Sequence, residues 1–337
     1  MRARELGITI GDGNPGGRNT ITDVDGVLVG HSTLIEGDAV RTGVTVLVPP
    51  ETPLFAGCHR LNGNGELTGL EWVRESGLLT TPIGITNTFS VGVVRDAIAA
   101  RSADDDAWSL PVVGETFDGF LNDIRGQHVT RDDVEAAFAA VSADVEEGSV
   151  GGGTGMTCHE FKAGIGTASR TVGTYLVGVL VQANYGSRNR FRVNGVPVGE
   201  LIGEQVPTPR EPDETGSIIG IVATDAPLLP HQCDRLAQRI GLGVARMGGT
   251  AAHTSGDLFF AFATGNRGLA AEDGEVALRM VSDGEITPFY AAVIEATEEA
   301  ILNAMLGAET IAAIEAMFTM CPPLVFCFIQ PTSEWQP

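Results

Sequence analysis

Between Val206 and Gly216 the chain reads VPTPREPDETG, rich in proline and acidic residues and without an apolar period. It then passes without transition into SIIGIVATDAPL, a β-branched run that begins at Ser217. The first piece has the composition of an exposed linker, and the second that of a buried strand closed by a proline turn. Upstream, TVGTYLVGVLVQANYG is another long strand-like stretch. Any fold of this chain must therefore join the end of a solvent-exposed tract directly to the first residue of an interior strand.

Such a junction has two readings. One is an ordinary Gly-Ser turn before a strand. The other is a self-cleaving precursor, in which the Ser217 hydroxyl attacks the Gly216 carbonyl and water hydrolyses the resulting ester. Gly216 carries no Cβ and tolerates the geometry this attack demands. Cleavage would free the α-amine of Ser217, whose unperturbed pKa of about 7.7–8.0 suits it to act as general base for its own hydroxyl.

Three other segments hold groups that could serve this chemistry. Thr254-Ser255-Gly256-Asp257 precedes the strand-like LFFAF and places a hydroxyl and a carboxylate two residues apart, hence on one side of an extended chain. Such a pair could hold the Ser217 ammonium, or it could be a turn entering a strand. Gln182-Ala183-Asn184-Tyr185-Gly186 ends an apolar run, and an amide there, Asn184, could donate to a developing oxyanion or simply form a turn before glycine. The carboxylates Glu66, Glu115 and Asp118 lie in glycine-rich or turn contexts, where side chains are commonly solvated or capping. Glu115 is the choice for holding a substrate ammonium.

Competing chemistries find less support. GGGTGMTC lacks the Gly-Lys-Ser/Thr of a phosphate-binding loop and reads as backbone packing or a substrate-lining turn. No GxSxG elbow accompanies the six scattered histidines, which argues against a Ser-His-Asp triad. Five cysteines without CxxC spacing suggest structural thiols in a reducing compartment and no metal site. No cofactor is expected. The formal charge of −22 repels phosphate backbones, so nucleic acid is a poor partner, and could modestly favour cationic substrates such as free amines. MRARELGITIGDG has no apolar core of a secretory signal, and no stretch reaches the length of a membrane span. The expectation is a soluble, cytoplasmic protein with mixed strands and helices in layers. ITDVDGVLVGHSTL reads as a hairpin or strand-turn-strand, TRDDVEAAFAAVSADV as a helix capped by Thr130, and Asn194-Gly195 as a tight turn.

Taken in order, ITDVDGVLVGHSTL, LNGNGELTGLEWVRESGLLTTPIGITNTFSVG, PVVGETFDGFLNDIRGQHV, GGGTGMTCHEFKAGIGTASR, VGVLVQANYG, GSIIGIVATDAPL and SGDLFFAF resemble the DmpA/BapA family of L-aminopeptidase/D-esterases and β-peptidyl aminopeptidases. The resemblance covers most of Ile21 to Ala263. It implies a four-layer αββα sandwich, one self-processing hydrolase domain over residues 1–337, and cleavage into an α subunit (1–216) and a β subunit (217–337). The subunits are expected to stay associated and to assemble into homo-oligomers. Small peptides, amides or esters with a free amine are the implied substrates, hydrolysed without metal. The nucleophile maps onto Ser217, the Ser/acid pair onto Ser255 and Asp257, and the oxyanion-side Asn onto Asn184.

Three departures stand out. The acid is the shorter Asp257 where the family can use Glu. Phe117 and Phe120 stand where a tyrosine near the oxyanion is expected, so Tyr185 or a backbone N–H would have to substitute. The tail FTMCPPLVFCFIQPTSEWQP is unlike the family's usual ending. Two other functions remain compatible with these residues: an acyltransferase of the ornithine acetyltransferase type, and an inactive homologue serving as a binding or assembly module.

Overall fold

The structure, a computed structural model, describes residues 1–101, 109–203, 216–270, 274–312, 317–318 and 321. The linker up to Thr215 and nearly all of the tail beyond Phe318 lie outside the described residues.

The chain opens with β1 (Leu28–Glu36), β2 (Val40–Val48) and β3 (Leu54–Gly63), then α1 (Leu70–Ser76), β4 (Leu78–Leu79), β5 (Ile83–Asn87), α2 (Val91–Arg101), β6 (Val112–Thr116) and α3 (Arg131–Ala139). A two-strand ribbon, β7 (Thr157–Cys158) and β8 (Phe161–Lys162), precedes β9 (Ile165–Val172) and β10 (Tyr175–Asn184). After α4 (Val198–Ile202) come β11 (Ser217–Thr224), α5 (Pro230–Arg246), β12 (Gly256–Ala263) and α6 (Thr287–Leu306). These build a four-stranded sheet, β1-β2-β5-β6, and a six-stranded sheet, β4-β3-β12-β11-β10-β9.

Period-2 alternation makes the layers. Along β11, Ile219, Ile221 and Ala223 pack between the sheets with Leu47, Ile85 and Phe260. Ile218 and Val222 face the other way, onto Leu236, Ile240 and Val244 of α5 and onto α6. Outside the four-stranded sheet, Val44 and Val46 meet Val94 and Ile98 of α2 and Val134 of α3. The result is the expected αββα sandwich. Two parallel pairs, β5–β6 and β11–β12, are spanned by α2 and α5 as crossovers.

Local readings fail where tertiary contacts override them. Ile21–Asp23 forms a 3₁₀ turn rather than the first arm of a hairpin. The Asp23 carboxylate accepts the Arg18 N–H (2.8 Å) and the Ser169 hydroxyl (2.6 Å), which curls the segment. The hairpin is instead β1–β2. Helix α3 starts after Thr130 as expected but stops at Ala139, because Ser142 pairs with Val29 of β1 through two backbone bonds of 2.9 and 3.0 Å. The Asn194-Gly195 turn is present, with φ of 50° and 83° at the two residues. The glycine run packs as backbone: a Cβ on Gly152 would lie 2.3 Å from Gln182 and 2.7 Å from the Ile85 carbonyl.

The N-terminal segment is clamped onto α6 by charge. Arg170, fully buried, donates to Glu299 (2.7 Å) and Glu295 (3.2 Å), and Arg4 also reaches Glu299 (2.9 Å). Removing one partner of a buried pair strands the other charge, at a cost of about 3–5 kcal/mol. Arg170→Met is therefore expected to lose stability on that scale, measured by chemical denaturation against the unsubstituted protein. A loss below about 1 kcal/mol would mean that Arg4 and Asn19 alone satisfy Glu299.

Candidate active site

Ser217 is the first residue of β11, paired with Asn184 of β10 on one side and Gly256 of β12 on the other. Alternation turns its side chain toward the four-stranded sheet, opposite to Ile218. There it meets a cavity of about 560 Å³ lined also by Asn64, Glu66, Thr88, Glu115 and Asn184. Gly216 lies on the same wall. A Cβ on Gly216 would fall 2.4 Å from the Asn184 carbonyl oxygen, so the close approach of β10 requires glycine there. The Gly216 carbonyl accepts a hydrogen bond from the Gly256 N–H at 3.2 Å.

Glu115 reaches this cavity from β6, in the other sheet. It is buried, and its oxygens accept the Glu66 N–H at 2.8 Å and the Thr88 hydroxyl. Burial raises its carboxyl above the usual range, and these two donors oppose the shift. Of the other turn carboxylates, Glu66 lines the cavity, whereas Asp118 is buried rather than solvated, bonded to Asn87 and pushed up to about 6 by burial.

Asn184 is fixed at both ends of its amide. Oδ1 accepts the Thr157 N–H (2.9 Å), and Nδ2 donates to the Phe117 carbonyl (2.8 Å), leaving its second hydrogen for the cavity. The support beneath is Lys162, the chain's single lysine. Fully buried and lowered to about 7 by that burial, it donates to the carbonyls of Met156 (2.8 Å) and Ala163 (2.6 Å), holding the turn that presents Thr157. Sequence reading gave neither Lys162, Thr88 nor the Gly256 N–H a role in the site. A lone lysine inside an apolar, glycine-rich run was the one available signal.

Ser255 and Asp257 do lie on one side of their strand, with the Ser255 hydroxyl donating to Asp257 Oδ1 at 2.7 Å. They flank Gly256, the partner of Ser217, but Asp257 is in register with Ile218 and faces the α5 layer. The pair thus lies behind the first residue of β11, while the Ser217 side chain opens in front. Burial raises the Asp257 carboxyl to about 6, against the Ser255 hydrogen bond.

Phe117 and Phe120 both line the cavity, ring edge to ring face at 5.5 Å, and bring no hydroxyl. Tyr185 does not supply the missing one. It follows Asn184 onto the helix side, where its ring meets His159 at 5.1 Å. Among the described residues no histidine hydrogen-bonds to Ser217, Ser255 or Asp257.

A profile for Peptidase family S58 matches residues 19–318. The chain belongs to this family. Beta-peptidyl aminopeptidase BapA of Sphingosinicella microcystinivorans is 45% identical, over 93% of this chain and 87% of that protein. A solved Burkholderia sp. beta-aminopeptidase is 50% identical over the whole of both chains, with a TM-score of 0.93. The L-aminopeptidase D-Ala-esterase/amidase of Ochrobactrum anthropi, described as a variant among the Ntn hydrolase fold, is 39% identical with a TM-score of 0.90, covering 97% of this chain and 98% of its own. This S58 chain is accordingly a serine aminopeptidase with that fold. The acyltransferase and binding-module readings are not favoured. No helix among its described residues is long and apolar enough to cross a membrane.

Proposed function

We propose that the chain cuts itself between Gly216 and Ser217, and that the freed Ser217 then releases N-terminal residues from small peptides, amides or esters. One observation carries the reading: Ser217, joined to Gly216, opens onto the cavity in which the buried carboxylate Glu115 waits. In processing, Ser217 Oγ attacks the Gly216 carbonyl carbon, and the Gly256 N–H, already bonded to that oxygen, steadies the developing oxyanion. The C–N bond breaks, nitrogen takes the proton, and water hydrolyses the ester, leaving a free amine on Ser217.

In turnover this amine accepts the hydroxyl proton as Oγ attacks the substrate carbonyl. The second hydrogen of Asn184 Nδ2 donates to the oxyanion, the leaving amine collects the proton, and water releases the acyl group. Glu115 holds the substrate ammonium, and Ser255 with Asp257 stabilises the cationic form of the Ser217 amine. Sheet order supports lasting association of the fragments. β11 and β12, from residues 217–337, lie between β3 and β10, from residues 1–216, so separation would tear the six-stranded sheet. The reading extends to homo-oligomers of these pairs, measurable by light scattering. Free thiols at Cys58, Cys158, Cys233 and Cys321 suit a cytoplasmic setting.

The test is intact mass and activity together. Purified protein should contain co-purifying fragments 1–216 and 217–337, turn over aminoacyl p-nitroanilides in EDTA, and ignore their N-acetylated forms. An uncut chain, or activity lost in EDTA and restored by zinc, would sink the proposal. Glu115→Gln should raise KM about tenfold or more, the scale of a hydrogen bond to a charged group. Because burial lifts the Glu115 carboxyl, wild-type KM should climb as pH falls through its raised range, and the variant should lose that dependence.

A further inference from the structure

Behind the nucleophile, on the helix side of the six-stranded sheet, the buried polar atoms without hydrogen-bond partners among the described residues include Asp257 Oδ2, Tyr185 Oη and, beside the tyrosine ring, His159 Nε2. Asp257 is 1% exposed and Tyr185 6%. Both side chains line one cavity of about 10 Å³, together with Ser255, Arg190 and Thr250. Buried polar groups in folded proteins nearly always find a partner, and a cavity of this size, walled by several polar groups, admits a single water. We propose that it is a binding site for one water molecule, which accepts a hydrogen bond from the Tyr185 hydroxyl and donates one to Asp257 Oδ2. Tyr185 then acts as a positioning residue for the Ser255–Asp257 pair. This role rests on the reading that the pair serves the Ser217 amine.

The hydrogen-bond accounting favours this arrangement. Asp257 Oδ1 is already satisfied by the Ser255 hydroxyl at 2.7 Å. A donor on Oδ2 completes the carboxylate and stabilises its charged form against burial, which alone drives the group upward. The neighbouring groups leave that task to the water. His159, edge-on to Tyr185, is held neutral by burial down to about 4. Burial raises the Tyr185 phenol well above its usual range, with Cys158, Asp257 and Glu298 adding to the shift, which keeps it a protonated donor. Arg190 lines the cavity wall, and the residue of β3 in register with Asp257 is the uncharged Asn62.

A crystal structure of the processed wild-type enzyme, at a resolution that shows ordered solvent, should place one water within hydrogen-bond distance of both Tyr185 Oη and Asp257 Oδ2. Tyr185→Phe keeps the ring but deprives the water of its donor. The Asp257 component of the acid limb of its kcat profile should move to higher pH by about half a unit, lowering kcat by about twofold at pH 6 and by up to about threefold below it, with KM unchanged. A purely structural tyrosine would leave the limb in place. The proposal is overturned by a direct Tyr185–Asp257 hydrogen bond, by no water at that position, or by an acid limb that superimposes on wild type. The water is read from electron density whatever the activity, so the site is decided even if Asp257→Asn proves harmless, an outcome that would instead defeat the catalytic reading.

Discussion

Ser217→Ala is expected to remain one uncut chain of 337 residues and to show no aminopeptidase activity. Alanine removes the hydroxyl that the proposed attack on Gly216 requires, while the Gly256 N–H, the close approach of Asn184 and the strand register all persist. The fold should therefore survive, and the loss would be chemical. The single lysine allows a sharp readout. Residues 217–337 hold no lysine, so after denaturation an amine-reactive label on that fragment can mark only the Ser217 amine freed by cleavage, and the variant should yield no such fragment. Mass spectrometry of the labelled chains distinguishes these patterns. Cleavage of the alanine variant at the same bond would mean that a foreign protease makes the cut.

Asp257→Asn should separate the two reactions. Before cleavage the Ser217 nitrogen is an amide, carries no charge and needs no carboxylate. After cleavage it becomes a cation in each catalytic cycle, and the Ser255–Asp257 pair is the buried acid beside that end of β11. Turnover should fall about 100-fold or more, within the usual contribution of acid–base groups, while processing continues. The pH dependence has a definite sign. Burial raises the Asp257 carboxyl to about 6, so the stabilising anion is present above that pH and is lost as pH falls through it. Wild-type kcat should fall on the acid side through protonation of the Ser217 amine and, near pH 6, through loss of the Asp257 anion, and the asparagine variant should lose only the second component. Fragment formation on a gel and p-nitroanilide release at several pH values decide the matter. Normal turnover by Asp257→Asn would reduce Asp257 to a turn residue.

Much of the site was legible as one-dimensional pattern. The compositional break at Gly216-Ser217 marked a linker meeting an interior strand, and β11 begins at Ser217. The two-residue spacing of Ser255 and Asp257 implied a shared side, because alternation in an extended chain depends only on local backbone geometry. The ordered motifs from Ile21 to Ala263 pointed to the fold and family. Other facts arise from contacts distant in sequence. Glu115 and Ser217 line one cavity only because two sheets stack. The Gly256 N–H reaches the Gly216 carbonyl only because β12 lies parallel beside β11, with α5 closing the crossover. Tyr185, offered by its neighbourhood as an oxyanion donor, turns to the opposite face beside His159. Residue type and backbone repeat alone were enough to single out Ser217 as the proposed nucleophile and to set the strand periods and the chemistry available, since these need no long-range contact. Tertiary structure decided which carboxylate, amide and N–H surround Ser217, because sheet order and layer stacking are set by long-range burial that no local window contains.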